Sequence, residues 1–207
     1  MTSMSNGARV AIALFTMVTA AVFGWLATAR RAGATQPFDL AVRARVHGMA
    51  SPALTASARG LAAVGSPLVV SMFFAIAMVV FHRLHWRPAT IALAEVMSAA
   101  FACNVGLKRL IHCRRPEPFF GTNPSSYSFP SGHSLYSFGF YGVLAIALAA
   151  HTPDAAARIA ICLAAALLVA GVGWSRVYLG VHYPSDVIAG YLAAAFVIGA
   201  VLTLSRR

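Results

Sequence analysis

Six stretches of the chain are apolar almost throughout, each bounded by charged residues, proline or glycine. They cover roughly residues 10–29, 61–81, 89–107, 135–150, 159–174 and 187–204. None shows the polar stripe that a soluble amphipathic helix carries on its outer face. A helix crosses the roughly 30 Å hydrocarbon layer with about 20 apolar residues. The first two stretches reach that length unaided. The third contains Glu95, and the fourth and fifth need their flanking residues. Ala, Leu and Val dominate, with small residues spread throughout, as close helix packing in lipid favours. The pattern predicts an all-α fold, a bundle of six transmembrane helices forming a single domain over residues 1–207. Arg9, the apolar run and Ala27-Thr28-Ala29 also resemble a signal peptide with a small-residue cleavage site. The run is longer than a usual signal core, so it is expected to be retained as the first span.

Between the first two spans, residues 30–60 are too polar to cross. Phe38, Val42, Val46 and Met49 recur at helical spacing, with Arg43, Arg45 and His47 between them. This predicts a short helix in the headgroup plane. Ser51-Pro52 is the start signal for a second one, with Ser as cap and Pro in the first turn.

Composition narrows the class. Of 207 residues, 59% are hydrophobic and 10% charged, and the mean hydropathy is +0.75. Such a chain is neither disordered nor, with three cysteines, a disulfide scaffold. Sixteen Lys and Arg against five acidic residues give +11. That charge alone would suit nucleic acid, but the apolar surface does not, and no nucleic-acid partner is expected.

The polar residues that carry chemistry fall into three groups. Lys108 and Arg115-Pro116 follow the third span, in KRLIHCRRP. Pro130-Ser131-Gly132-His133 precedes the fourth, where the free amides of a helix N-terminus form an anion site. Ser175-Arg176, His182 and Asp186 lie in SRVYLGVHYPSD, with Pro184 suited to the first turn of the sixth span. Taken singly, these read as a membrane-flanking basic patch, a helix cap and an interface histidine. Their sidedness makes them more specific. With six spans, the loops after spans one, three and five share one face, so all three groups emerge together, beside the 30–60 segment.

Three cations, two histidines and one carboxylate at helix ends point to phosphoryl transfer. The cations neutralise phosphate oxygens, Arg bidentately. His182 can attack phosphorus and His133 can protonate the departing alkoxide, while Asp186 holds one tautomer of His182. No paired carboxylates of the kind Mg²⁺ prefers occur in these loops. His133, His182 and Asp186 could in principle hold Zn²⁺, but Arg176 and Lys108 would repel it. A metal-independent reaction without cofactor is expected.

The residues at this point carry a resemblance. Lys108 with six residues before Arg115-Pro116, then Pro130-Ser131-Gly132-His133, then Ser175-Arg176 with five residues before His182 and three before Asp186, resemble the three-part signature of the type 2 phosphatidic acid phosphatase (PAP2) superfamily. That family includes bacterial lipid phosphatases and undecaprenyl pyrophosphate phosphatases, and it shares its site with vanadium haloperoxidases. The resemblance covers nearly the whole chain. It implies that His182 is the nucleophile, forming a phosphohistidine, with Asp186 orienting it. It implies that His133 is the general acid and assists water attack. It gives Lys108, Arg115 and Arg176 to phosphate binding, with Ser131 and the Gly132 backbone. Two other classes fit parts of this pattern: a phosphate-lipid transporter or flippase, and a vanadate-dependent oxidant enzyme. The His182–Asp186 pair argues against the first and the membrane body against the second.

A site at helix ends suits a phosphate on a lipid of the adjacent leaflet. Phosphatidic acid, phosphatidylglycerol phosphate and undecaprenyl pyrophosphate all qualify. The segment 117–129, rich in Pro, Phe, Ser and Tyr, is expected to line or cover the headgroup entrance. Charge does not settle sidedness. The active face carries ten Lys and Arg: Arg30, Arg31, Arg43, Arg45, Arg59, Lys108, Arg109, Arg114, Arg115 and Arg176. The other carries six: Arg9, Arg83, Arg87, Arg158, Arg206 and Arg207. Without the three catalytic cations the count is seven against six, and the positive-inside rule decides nothing. The resemblance implies a bacterial inner-membrane protein with a periplasmic or outer active face and both termini cytoplasmic. Glu95, alone within a span, is expected to pair with a neighbouring helix rather than to relay protons.

Overall fold

The structure, a computed structural model, describes residues 5–204. Arg206 and Arg207, counted above on the opposite face, lie outside them. The described residues form eight helices: α1 (Asn6–Arg31), α2 (Gln36–His47), α3 (Pro52–Val64), α4 (Pro67–Arg83), α5 (Arg87–Ile111), α6 (Gly132–Ala150), α7 (Ala155–Tyr178) and α8 (Pro184–Leu204). Five of them, α1, α5, α6, α7 and α8, are long and apolar enough to cross a membrane unbroken. The pair α3–α4, bent by 49°, meets the same test when its two helices are taken together and is the sixth candidate span.

That bend corrects one expectation. Residues 61–81 read as a continuous span, yet the helix stops at Val64 and restarts at Pro67. Ser66 caps the new start, its Oγ accepting from Val69 N at 3.3 Å, and Pro67 opens the first turn. Apolarity alone does not register a Gly-Ser-Pro break. The end of α3 is satisfied from outside, since Tyr141 Oη donates to Val64 O at 3.0 Å. The start of α3 is as the sequence predicts: Ser51 Oγ accepts from Leu54 N at 3.2 Å.

The facing of α2 differs too. Phe38 and Met49 point outward, while Asp39 and Arg43 turn inward with the half-buried Val42 and Val46. The inner face meets the first turn of α8 rather than hydrocarbon, and this explains its polarity.

Helix α6 is central, packed on α5, α7 and α8, and α1 runs along α8. Leu93, Val96, Leu135, Phe140, Ala194 and Val197 belong to the main core. Glu95 sits at an exposed position on α5. The end of α5, the start of α6, the end of α7 and the start of α8 converge beside α2, as the loop parity requires.

Two glycines permit this convergence. A Cβ at Gly190 would lie 2.6 Å from Ser131 O and 2.8 Å from Ser134 Cβ, so only glycine lets α8 approach the start of α6. Ser131 N then donates to Asp186 O at 2.9 Å. Gly180 has φ +79°, and a Cβ there would meet Phe119 N at 2.4 Å. Phe119 N donates to Leu179 O at 3.0 Å, docking the long loop on the end of α7.

Gly190→Ala is expected to cost about 1–3 kcal/mol by overpacking and to lower the thermal midpoint in detergent by roughly 2–10 °C. An unchanged midpoint would show that α6 and α8 are not held this closely.

Candidate functional site

The three sequence groups meet at one end of the bundle. His182 and Asp186 lie at the start of α8. Proline at the first helical position and Asp two residues later make Asp186 a local cap, its Oδ2 accepting from Tyr183 N at 2.9 Å. The same oxygen lies 3.5 Å from His182 Nδ1. It also accepts a hydrogen bond from Ser128 Oγ. The Ser128 hydroxyl is 3.4 Å from Nδ1, between the two partners. Oδ1 is paired with Arg30 Nε at 3.3 Å. Asp186 is fully buried and His182 nearly so, at 2% exposed.

The other ring nitrogen faces a cation. Arg115 Nη1 lies 2.9 Å from His182 Nε2. A guanidinium only donates, so Nε2 must accept and the ring proton resides on Nδ1, toward Asp186 and Ser128. This tautomer places the lone pair on Nε2, where a nucleophile needs it. Burial pushes the imidazole down to about 4, opposed by the hydrogen bond and charge of Asp186 and assisted by Arg115 and Arg176. His182 is therefore neutral around pH 7.

Three cations gather at this end of the bundle. Arg115 also donates from Nη1 to Val181 O at 2.9 Å, from Nε to Ser126 O at 2.8 Å and from Nη2 to Ser126 Oγ at 3.1 Å. Lys108, on the last turn of α5, donates to Tyr127 O. Arg176 is buried on the last turn of α7, with Nε lacking a hydrogen-bond partner. Its carbonyl accepts from Val181 N and His182 N at 3.2 and 3.3 Å, which ties the loop carrying His182 to α7. Among the described residues none of the three cations pairs with a carboxylate; the ion pairs are Arg30–Asp186 and His182–Asp186.

His133 sits in the first turn of α6 and shares the electrostatic field of Arg176, His182, Arg115 and Lys108. Ser131 caps α6, its Oγ accepting from Ser134 N at 3.5 Å and from Ser134 Oγ at 3.1 Å. Its backbone amide is engaged by Asp186 O, so the amides beyond it, from Gly132 onward, are the ones a phosphate can use. Gly132 lies against Asn104, whose Nδ2 donates to Tyr136 Oη at 2.8 Å.

The 117–129 segment lines the site at its C-terminal end. Ser126 and Tyr127 receive Arg115 and Lys108, and Ser128 reaches the Asp186 carboxylate. Its N-terminal end is docked elsewhere: Phe119 stacks on His47 with ring centroids 3.9 Å apart. Sequence reasoning missed Ser128 and the Arg30 contact. Ser128 had a signal in its position two residues before Pro130. Arg30 had none, being 156 positions from Asp186. Among the described residues no three His, Cys, Asp or Glu side chains come together as a metal-ligand set. The donors that do converge are cations, suited to anionic oxygens.

A PAP2 superfamily profile matches residues 89–207, which hold every signature residue. Phosphatidylglycerophosphatase B of Bacillus subtilis is 32% identical over 172 residues, covering 80% of this chain and 82% of that protein. Decaprenylphosphoryl-5-phosphoribose phosphatase of Mycobacterium tuberculosis is 30% identical over 155 residues, covering 73% and 80%. The crystal structure of a transmembrane PAP2 type phosphatidylglycerolphosphate phosphatase from Bacillus subtilis superposes with a TM-score of 0.80. It is 29% identical and covers 90% of this chain and 94% of that one. The chain belongs to the PAP2 superfamily, in its membrane lipid phosphatase branch.

Because burial favours the neutral ring, His182 should titrate well below the ordinary imidazole range. Side-chain ¹⁵N NMR of labelled protein is expected to show it uncharged down to about pH 5. A midpoint near 6.5 would mean that the site is wetter than its packing indicates.

Proposed function

We propose that the chain, as one membrane domain over residues 1–207, hydrolyses a lipid phosphate or pyrophosphate through a phosphohistidine, without a metal ion. The supporting observation is three cations without carboxylate partners gathered beside two histidines, one of them on the Nε2 lone pair of a neutral His182. Cations in a poorly solvated site call for an anion, and phosphate oxygens match Arg geometry.

Arg115 leaves Nε2 and, with Lys108, Arg176 and the amides of α6, takes the phosphate oxygens. His182 Nε2 attacks phosphorus, and the bond from phosphorus to the lipid oxygen breaks. The negative charge of the bound phosphate offsets the cations around His133 and lets the ring take up a proton from water, which it gives to that oxygen. Asp186 stabilises the positive charge that builds on the ring, with Ser128 fixing the carboxylate. Water then loses a proton to His133 and attacks phosphorus, the P–N bond breaks, and inorganic phosphate leaves. Positioning and charge stabilisation supply most of the acceleration, as in other phosphoryl transfers. Phosphatidic acid, phosphatidylglycerol phosphate and undecaprenyl pyrophosphate remain the candidate substrates. The site faces the periplasm or exterior of a bacterial plasma membrane, with membrane lipids as neighbours.

Phosphate release from this lipid panel, in detergent with EDTA, tests the reading. Wild type is expected to release phosphate from at least one lipid. His182→Ala should lose at least roughly 10³-fold, and Arg176→Gln about 10²- to 10³-fold. No release from any substrate, or full activity in His182→Ala, would sink the assignment. Loss of activity in EDTA would sink its metal-free part. Sidedness follows from Thr122→Cys and Pro153→Cys in a cysteine-free background. An impermeant thiol reagent on intact cells is expected to label only the first.

A further inference from the structure

Helix α2 lies outside the residues matched by the family profile, yet its inner face is built from charged side chains. Asp39 is 1% exposed and Arg43 6%. Asp39 Oδ1 accepts from Ser185 N at 2.9 Å and Oδ2 from Ser185 Oγ at 2.7 Å. Both oxygens are thus directed at a single residue, 146 positions away in the chain. Ser185 lies between His182 and Asp186. Its amide belongs to the first turn of α8 and has no partner within its own helix.

This arrangement exceeds what packing needs. The local cap of α8 is already supplied by Asp186 through Tyr183 N. A buried carboxylate without an ion-pair partner is expensive, and an apolar residue would seal α2 on α8 at lower cost. Among the described residues Asp39 forms no ion pair at contact distance, and the Arg43 charge one turn along offsets only part of its cost. What it gains is fixation of the first turn of α8, helped by the positive end of that helix.

The second inward charge grips the other half of the site. Arg43, one turn along, donates from Nη2 to Glu117 O at 2.8 Å. Its guanidinium lies 4.6 Å from the Phe119 ring centroid and 5.1 Å from that of Tyr183. Glu117 follows Arg115-Pro116 directly. One face of α2 therefore holds both the start of α8, with His182 and Asp186, and the segment that carries Arg115.

We propose that α2 is a brace that sets the His182–Asp186 pair against Arg115, with Asp39 the positioning residue that acts through Ser185. The proposal rests on the hydrolytic reading above. Asp39 touches neither substrate nor reacting atoms. It aims the carboxylate at Nδ1, and the Nε2 lone pair follows.

The test compares Asp39→Ala, Asp39→Asn and Ser185→Ala, each alone and combined with Asp186→Asn, on the best substrate of the wild type. Folding is checked by detergent gel filtration and thermal midpoint. Asparagine keeps an oxygen for Ser185 N and an amide that can donate to Ser185 Oγ. Asp39→Ala is expected to lower kcat about 10- to 100-fold with KM within about 3-fold, since roughly 1 Å of misplacement costs that much. Asp39→Asn should stay within about 3-fold of wild type. In the Asp186→Asn background, Asp39→Ala should add less than about 2-fold, because the carboxylate it aims is gone. A loss carried by KM, an Asn variant as poor as Ala, or a full independent loss on top of Asp186→Asn would overturn the proposal. Should Asp39→Ala not fold, Ser185→Ala carries the same readouts, and its kcat loss must likewise vanish in the Asp186→Asn background. A wild type inactive on every lipid phosphate would overturn the hydrolytic reading instead, and is seen before any variant is compared.

Discussion

A single carboxylate, that of Asp186, ties the structure together. It is fully buried, and isolation would make its charge untenable. The fold surrounds it instead with Arg30 from α1, Ser128 from the long loop, the Tyr183 amide of its own helix and the His182 ring. Two partners are local and two come from distant parts of the chain, so the carboxylate is fully satisfied only when α1, α8 and the 112–131 loop are all in place. The close α6–α8 approach at Gly190 and the Ser131 N–Asp186 O bond serve the same end. The negative charge is spread over several donors and keeps Nδ1 oriented, while burial keeps His182 neutral.

The chain's surplus of positive charge acquires a structural meaning from this. Only five residues are acidic, and the site holds just one of them. Lys108 and Arg115 consequently meet backbone carbonyls, a hydroxyl and a histidine nitrogen rather than carboxylates, and among the described residues Arg176 Nε meets no acceptor. These partners are weak enough for a phosphate to replace and polar enough to keep the cations in position. An added carboxylate would pair with these cations and compete with any other anion for them.

Local signals in the sequence were the most legible. Apolar runs located five spans, and Ser51-Pro52 and Pro184 marked helix starts at their actual positions. The three signature groups came together because their loops share one face, a consequence of topology that span counting captures. Signals that depend on tertiary partners were not legible. The break at Gly65-Ser66-Pro67 was masked by the apolarity on either side. The inward turn of Asp39 and Arg43 could not be read from α2, because the reason lies in α8. Arg30 looked like one more membrane-flanking cation, and its meeting with Asp186 depends on how α1 lies along α8. Hydrophobic period reports which face meets lipid; it does not report which polar face meets another polar face.

The contact between Arg115 and His182 links binding to activation in the proposed reaction. The guanidinium lies 2.9 Å from Nε2, so it both orients the ring and covers the nitrogen that serves as nucleophile in that reaction. Phosphate oxygens are better acceptors for a guanidinium than a neutral imidazole nitrogen. An arriving phosphate therefore draws Arg115 away and exposes Nε2 at the moment the electrophile is in place. An uncharged lipid offers nothing comparable and leaves the nucleophile covered. In the proposed reaction the same two atoms thus couple the arrival of a phosphate to the exposure of the nucleophile.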